Sequence, residues 1–194
     1  IAGLQMAAVS MRGREDVHRF IEGFSGTNRY ILDYLLEEVL ASQPPEIQHF
    51  LLLTSILERL TAPLCDAVLA NDAEAQGENA DGSSEPESLF AGQSASILEY
   101  LERVNLFLVP LDDERTWYRY HHLFADLLRA QLHKSLGAQA VAQLHIRASE
   151  WHGKNGSVLE AIHYASLASD DVRVERFIEQ NYMEMMSRGE LSSM

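Results

Sequence analysis

Two adjacent imidazoles, His121 and His122, stand in "WYRYHHLFADLL" (residues 117–128), where aromatics alternating around Arg119 give way to leucines at helical spacing. Imidazoles at such a junction can ligate a metal, move a proton, hold an anion, or simply pack. Metal ligation fits poorly, because neighbouring side chains diverge and no third ligand is fixed by spacing. His18, His49, His133, His145, His152 and His163 are scattered at helical spacings and read as packing or surface residues. The carboxylate pairs Glu37-Glu38 and Asp112-Asp113 fall on a helix face and in a turn, with nothing to set them opposite one another across a cleft. The chain has no GxxxxGK[ST] loop, GxGxxG fingerprint, GxSxG elbow, HExxH or CxxC. No catalytic residue and no metal site is expected in this segment, so it is not read as an enzyme.

The elements that would carry these residues follow from periodicity. Residues 1–42 read as helices, with Ile31, Leu35 and Val39 on one stripe of "GTNRYILDYLLEEVLA". "SQPP" interrupts, and Pro44-Pro45 can open the next helix, "EIQHFLLLTSIL", on Ile47, Phe50, Leu51 and Leu57. Another follows in "TAPLCDAVLA", with Thr61 as cap and Pro63 in the first turn. Cys65 falls on its apolar face and reads as an inert thiol. "SASILEYLERVN" is a third helix, and "LFLVPLDDERTWYRY" a hairpin in which Phe107 and Val109 alternate and "DDER" turns. "HLFADLLRAQLHKSL" is helical through Phe124, Leu127, Leu128 and Leu132. Helix, helix, helix, hairpin, helix is the order of a winged-helix module.

Beyond residue 138, Val141, Leu144, Ala148 and Trp151 step by three and four. "SVLE" at 157–160 is a capping-box pattern, and Ala161, Ala165 and Ala168 allow close packing. Val174, Phe177 and Ile178 face inward on a last helix. Such pairs resemble tetratricopeptide-like hairpins. The expected fold is mainly α: a helical subdomain at 1–42, a winged-helix domain with one β-hairpin at 43–136, and the start of a TPR-like superhelix at 137–194. Residues 71–92 interrupt the second of these as a flexible acidic loop, whose "NDAEAQGENADGSSEPESLF" holds six acidic residues and no Lys or Arg.

Composition narrows the partners. The chain has 194 residues, 46% of them hydrophobic, which is ample for a core. The formal net charge is −14, six of those charges coming from the acidic stretch. General phosphate-backbone binding needs clustered Lys and Arg. The third helix, where a winged helix would read DNA, offers Glu99, Glu102 and only Arg103, so docking on protein is expected instead. No apolar run approaches the ~20 residues of a membrane span. A single cysteine excludes an internal disulfide and suits the cytoplasm. Both ends read as cut edges of a longer protein.

Several long motifs occur in order: "AGLQMAAVSMRG", "FSGTNRYILDYLLEEVL", "FLLLTSILERLTAPLCDAVL", "LERVNLFLVPLDDERTWYRYHHLFADLLRAQL" and "ASEWHGKNGSVLEAIHYA". Together the chain resembles the MalT-like, LuxR-family transcriptional regulators, signal-transducing ATPases of the STAND class. The resemblance implies a parent with an upstream P-loop domain that holds ATP or ADP, and a sensor superhelix for an unknown small-molecule inducer. It also implies a C-terminal helix-turn-helix that reads DNA, with 1–42 belonging to the nucleotide-binding module. This segment would hold no cofactor alone, and its partners would be the P-loop domain and superhelix of its own chain. In related STAND proteins a Met-His-Asp motif lies where the winged-helix strand enters its last helix, and its histidine contacts the β-phosphate of ADP. "YHHLF" is similar: Tyr120 takes the methionine place, His121 the histidine and His122 the aspartate.

An imidazole N–H beside the free amides of a helix N-terminus suits an anion. His122 departs from the pattern and is expected to pair with Asp126. Gly3, Leu4 and Gln5 stand where relatives have a Gly-x-Pro segment near the adenine, Gln5 replacing the proline. Arg29 and Arg119 are expected to be paired surface or interdomain residues rather than phosphate contacts. The resemblance thus implies a non-catalytic coupling segment; the alternative is a helical and winged-helix protein-interaction scaffold with no use for nucleotide.

Overall fold

A computed structural model describes residues 39–70 and 93–188, with side chains to residue 182. The chain divides into two compact units, 1–44 and 45–194. Of the first, residues 39–44 are described: a turn in which Ser42 Oγ donates to the Val39 carbonyl at 3.0 Å.

The second unit runs α1 (Pro45–Thr54), α2 (Ala62–Leu69), α3 (Ser94–Arg103), β1 (Leu108–Pro110), β2 (Tyr118–Tyr120), α4 (His122–Ser135), α5 (Ala138–Lys154), α6 (Val158–Leu167) and α7 (Asp171–Arg188). It is mainly helical with one two-stranded antiparallel sheet, a winged helix followed by helical hairpins. Pro45 opens α1, which buries Phe50, Leu51, Leu53 and Thr54. The helix ends at Thr54, before Leu57, and Thr54 Oγ1 donates back to the Phe50 carbonyl at 2.6 Å. α2 buries Leu64, Cys65, Val68 and Leu69. Thr61 and Ser157 occupy the N-cap positions expected of them, but neither side chain caps its helix. Three helices are closed at their C-terminal ends. Asn105 (φ 55°), Gly156 (φ 77°) and Ser169 (φ 56°) adopt the left-handed conformation just past α3, α5 and α6. In each case the next N–H reaches back to an orphan carbonyl: Leu106 to Leu101, Ser157 to His152, Asp170 to Ala165.

β1 and β2 pair with Leu108 opposite Tyr120, Val109 opposite Arg119 and Pro110 opposite Tyr118. Leu60 bridges Tyr118 from the other side, exchanging N–H···O bonds of 2.8 and 2.9 Å. β2 is therefore central. The inward residues of the first arm are Leu106 and Leu108, not Phe107 and Val109 as the alternation suggested. The left-handed Phe107 (φ 54°) resets the parity after α3, and its ring packs on Phe124 at 5.1 Å. Asp112 closes the turn, accepting the Thr116 N–H at 2.8 Å and the Trp117 N–H at 3.2 Å.

α4 buries Phe124, Ala125, Leu127, Leu128 and Leu132. α5 packs on α6 and on α2, and α6 on α7. On α5 the buried series is Val141, Leu144, Ala148 and His152, so the imidazole rather than Trp151 occupies the fourth place. Ala161, Ile162 and Phe177 form a cluster with Val158, Val174 and Ile178, as the inward stripe of the last helix predicted.

Candidate functional site

β2 sorts the aromatic stretch by parity. Tyr118 and Tyr120 are buried, while Arg119 is exposed and Trp117 and His121 are half-buried. Tyr120 is 4% exposed, and its hydroxyl meets Thr54 Oγ1 at 2.7 Å. Burial pushes its pKa well above the usual phenol value. Tyr118 bonds Glu102 of α3 at 3.4 Å, and Glu102 pairs with Arg115 of the turn at 3.2 Å. The two tyrosines thus pin β2 to α1 and α3, and the strand presents its other face outward.

His121 is the residue before α4, with extended backbone (φ −60°, ψ 133°). Its N–H donates to the Phe107 carbonyl at 2.7 Å, extending the β pairing by one position. Its carbonyl accepts the Phe124 and Ala125 N–H groups at 2.9 Å each, which starts the helix. The side chain makes no cap hydrogen bond, and its Nδ1 is buried with no hydrogen-bond partner. The His121 pKa is lowered, chiefly by desolvation and then by His122 and Arg119, so the neutral ring is favoured. A neutral ring has one N–H to give and one lone pair to fill. The first amides of α4 lack intrahelical acceptors, and the helix dipole adds partial positive charge there.

His122 is exposed and lies against His121 with ring centroids 4.4 Å apart. Asp126, its expected partner, instead meets Arg129 at 3.6 Å. Arg119, expected to be a paired surface or interdomain residue, is exposed, and its guanidinium has no hydrogen-bond or ion-pair partner among the described residues. Gly3, Leu4, Gln5 and Arg29 lie outside the described residues. No group of three His, Cys, Asp or Glu side chains converges among the described residues. No helix there is long and apolar enough to cross a membrane.

The three helices, the hairpin and the helix entered through His121 match a known pattern. The MalT winged helix domain family matches residues 36–140, more than half of the chain. The chain belongs to that family. It is also 31% identical over 193 residues to the serine/threonine-protein kinase PknK of Mycobacterium tuberculosis strain H37Rv, and equally to PknK of Mycobacterium bovis. Those matches take in 100% of this chain and 16% of each relative, so the chain spans about a sixth of the length of the curated proteins it resembles.

In the helical hairpin that follows this MalT winged helix, histidines read from the sequence only as packing or surface residues pack on one tyrosine. His145 and His152 of α5 both lie nearly parallel to Tyr164 of α6, at 6.0 and 5.4 Å. Burial lowers the His145 pKa to about 4, with His133, His163 and Arg129 adding repulsion. Tyr164 is itself buried, its pKa pushed up to about 12, and its hydroxyl accepts the Glu58 N–H at 3.1 Å. Arg147 reaches the Val68 carbonyl at 2.7 Å and Arg129 the Ser55 carbonyl at 2.8 Å. These contacts join residues 74 to 106 positions apart, which no local pattern announces.

Proposed function

We propose that this chain is a non-catalytic regulatory segment of an ATP-dependent, LuxR-family MalT-like protein, coupling nucleotide state to inducer sensing and DNA-binding activation. The observation that carries the reading is the place of His121 at the entry to α4, where its Nδ1, unpartnered like those of His145 and His152, lies beside the helix's first turn. A phosphate oxygen accepting from that imidazole supplies the missing partner and offsets the cost of burying it. It also raises the His121 pKa, opposing the desolvation that now lowers it. ADP held there on the closed form and released on activation gives His121 a differential contact, the requirement for a ligand to shift an equilibrium. Gly3, Leu4 and Gln5 belong to the adenine side in the same reading. The P-loop domain and sensor superhelix are partners within the parent chain, which works in the cytoplasm. DNA contact falls to a separate helix-turn-helix, since Arg103 of α3 lies over the Tyr100 ring and Glu102 faces Arg115.

The test is His121→Ala in the full-length parent. ADP retention falls ~10-fold or more, the worth of one hydrogen bond to a charged group, and basal transcription without inducer rises. Unchanged ADP retention with unchanged basal transcription refutes the reading. A protein-interaction scaffold without nucleotide dependence is the second reading, favoured by the exposed apolar side chains Leu159, Leu167, Val172 and Tyr182 on α6 and α7. It predicts no effect of His121→Ala on basal output.

A further inference from the structure

The Leu60–Tyr118 bridge that makes β2 central also brings Arg59 alongside Arg119. Like charges set side by side across strands are destabilising. Neither guanidinium has a hydrogen-bond or ion-pair partner among the described residues. The contrast with the other arginines whose side chains are described is plain. Arg115, Arg129 and Arg173 meet carboxylates, Arg147 a carbonyl, and Arg103 and Arg176 lie over aromatic rings.

Arg59 and Arg119 share a pocket of about 540 Å³ with Trp117, Leu111, Glu58 and Asp112. That volume is in the range of small-molecule sites, a few hundred to about 1,000 Å³. Among the described residues its two acids make no direct ion pair with the arginines. Asp112 is engaged by the Thr116 and Trp117 N–H groups, and Glu58 stands 3.9 Å from His163 of α6. Trp117 and Leu111 lie together at the end of the hairpin, tied by the Leu111 N–H to the Trp117 carbonyl at 2.8 Å. The indole also meets Trp151 of α5 edge-on at 6.5 Å.

The geometry points to a binding pocket for a small organic anion, a phosphate ester or carboxylate on a planar apolar body. Arg59 and Arg119 hold the anionic head, their planar forks suited to paired oxygens, and Trp117 with Leu111 covers the body. Binding relieves the repulsion between the guanidinium groups. It also contacts the tryptophan that joins the sheet to α5, so the ligand braces the winged helix against the helical hairpin. The pocket goes beyond the nucleotide reading and does not depend on His121.

Trp117 and Trp151 are the chain's two tryptophans, so intrinsic fluorescence of the whole chain reports on this pocket. Phenyl phosphate and benzoate are titrated at constant ionic strength, with inorganic phosphate as the head group alone. At least one aromatic anion gives a saturable change, and whichever binds tighter names the head group. Inorganic phosphate binds more weakly. Arg59→Ala and Arg119→Ala each weaken binding by about tenfold or more, the worth of a charge-assisted hydrogen bond, and Arg119→Lys falls between. Both arginines are exposed and unpartnered, so circular dichroism of the variants matches the parent. No saturable response to either aromatic anion overturns the proposal. So does full binding in both alanine variants, or inorganic phosphate binding as tightly as phenyl phosphate.

Discussion

Gly153→Ala sets two effects of opposite sign against each other, and the structure says which wins. Gly153 lies in the last turn of α5, where alanine favours the helix by about 1 kcal/mol. An added Cβ, however, would stand 2.5 and 2.6 Å from Cε1 and Cζ of Phe177. That is ~1 Å inside a carbon–carbon contact of about 3.5 Å. Phe177 is buried among Ala161, Ile162, Val158, Val174 and Ile178, so its ring cannot yield without leaving the cluster that seats α7. Overpacking of this kind costs about 1–3 kcal/mol, and expelling the ring altogether about 3–5. Net of the helix gain, repacking leaves about 0–2 kcal/mol of destabilisation and expulsion of the ring about 2–4, read in urea unfolding, with faster hydrogen exchange in α7. In a Phe177→Ala background the steric term vanishes, and Gly153→Ala becomes neutral or stabilising. A single variant at least as stable as the parent, or additive effects in the double-mutant cycle, would refute the reasoning.

Three further outcomes can be measured. His145 has a folded pKa of about 4 against 6.5 for an unperturbed imidazole, so the unfolded chain takes up its proton first as the pH drops. Its contribution is complete above pH 6.5 and lost between there and about 4, at most roughly 3 kcal/mol and about 2 after solvent screening of the half-buried ring. His152, lowered in the same direction, adds to the trend. His145→Leu should flatten the acid limb of stability measured by urea unfolding, and an unchanged slope counts against the assignment. Tyr120→Phe removes the hydroxyl 2.7 Å from Thr54 Oγ1 and should cost about 1 kcal/mol; no loss would mean that this buried bond contributes nothing net. Cys65 is fully buried and burial pushes its thiol pKa far up, so thiol reagents should label it only through unfolding; prompt labelling in native buffer would contradict that.

How much of this was legible in the sequence depended on whether the cause was local. Apolar spacing placed the helices, and Pro44-Pro45 placed the start of α1, because both act within a turn or two of chain. The hairpin was legible, but its register was not. "LFLVP" is apolar at every position, so either parity looks buried, and the left-handed Phe107 decides it. The fourth inward place on α5 was given to Trp151 because tryptophan continues the apolar step, whereas a histidine there reads equally as packing or surface. Tyr164 provides an aromatic face on which a neutral imidazole packs, and that tyrosine arrives from another helix. His121 could be found from the junction itself. Its unpartnered Nδ1 could not, and neither could the meeting of Arg59 with Arg119, since a single bridge between distant segments makes it.

The same non-local contacts explain how β2 can present an outward face and stay fixed. Helix ends leave carbonyls without intrahelical partners, and a buried carbonyl must find a donor. Arg147 takes the Val68 carbonyl at the end of α2. Arg129 takes the Ser55 carbonyl just past α1, and Tyr164 accepts the Glu58 N–H three residues later. The last two of these bonds hold the segment running up to Leu60, which in turn holds β2 through Tyr118. A ligand at either Arg119 or His121 therefore pushes against a strand anchored on both sides, by Leu60 and by β1. Two tyrosines beneath it are bonded to α1 and α3. Movement of β2 alone would break several of these bonds at once, whereas movement of the strand together with α5 and α6 breaks none of those that join them. Any signal leaving this sheet is thus expected to travel as a shift of the winged helix and the helical hairpin together.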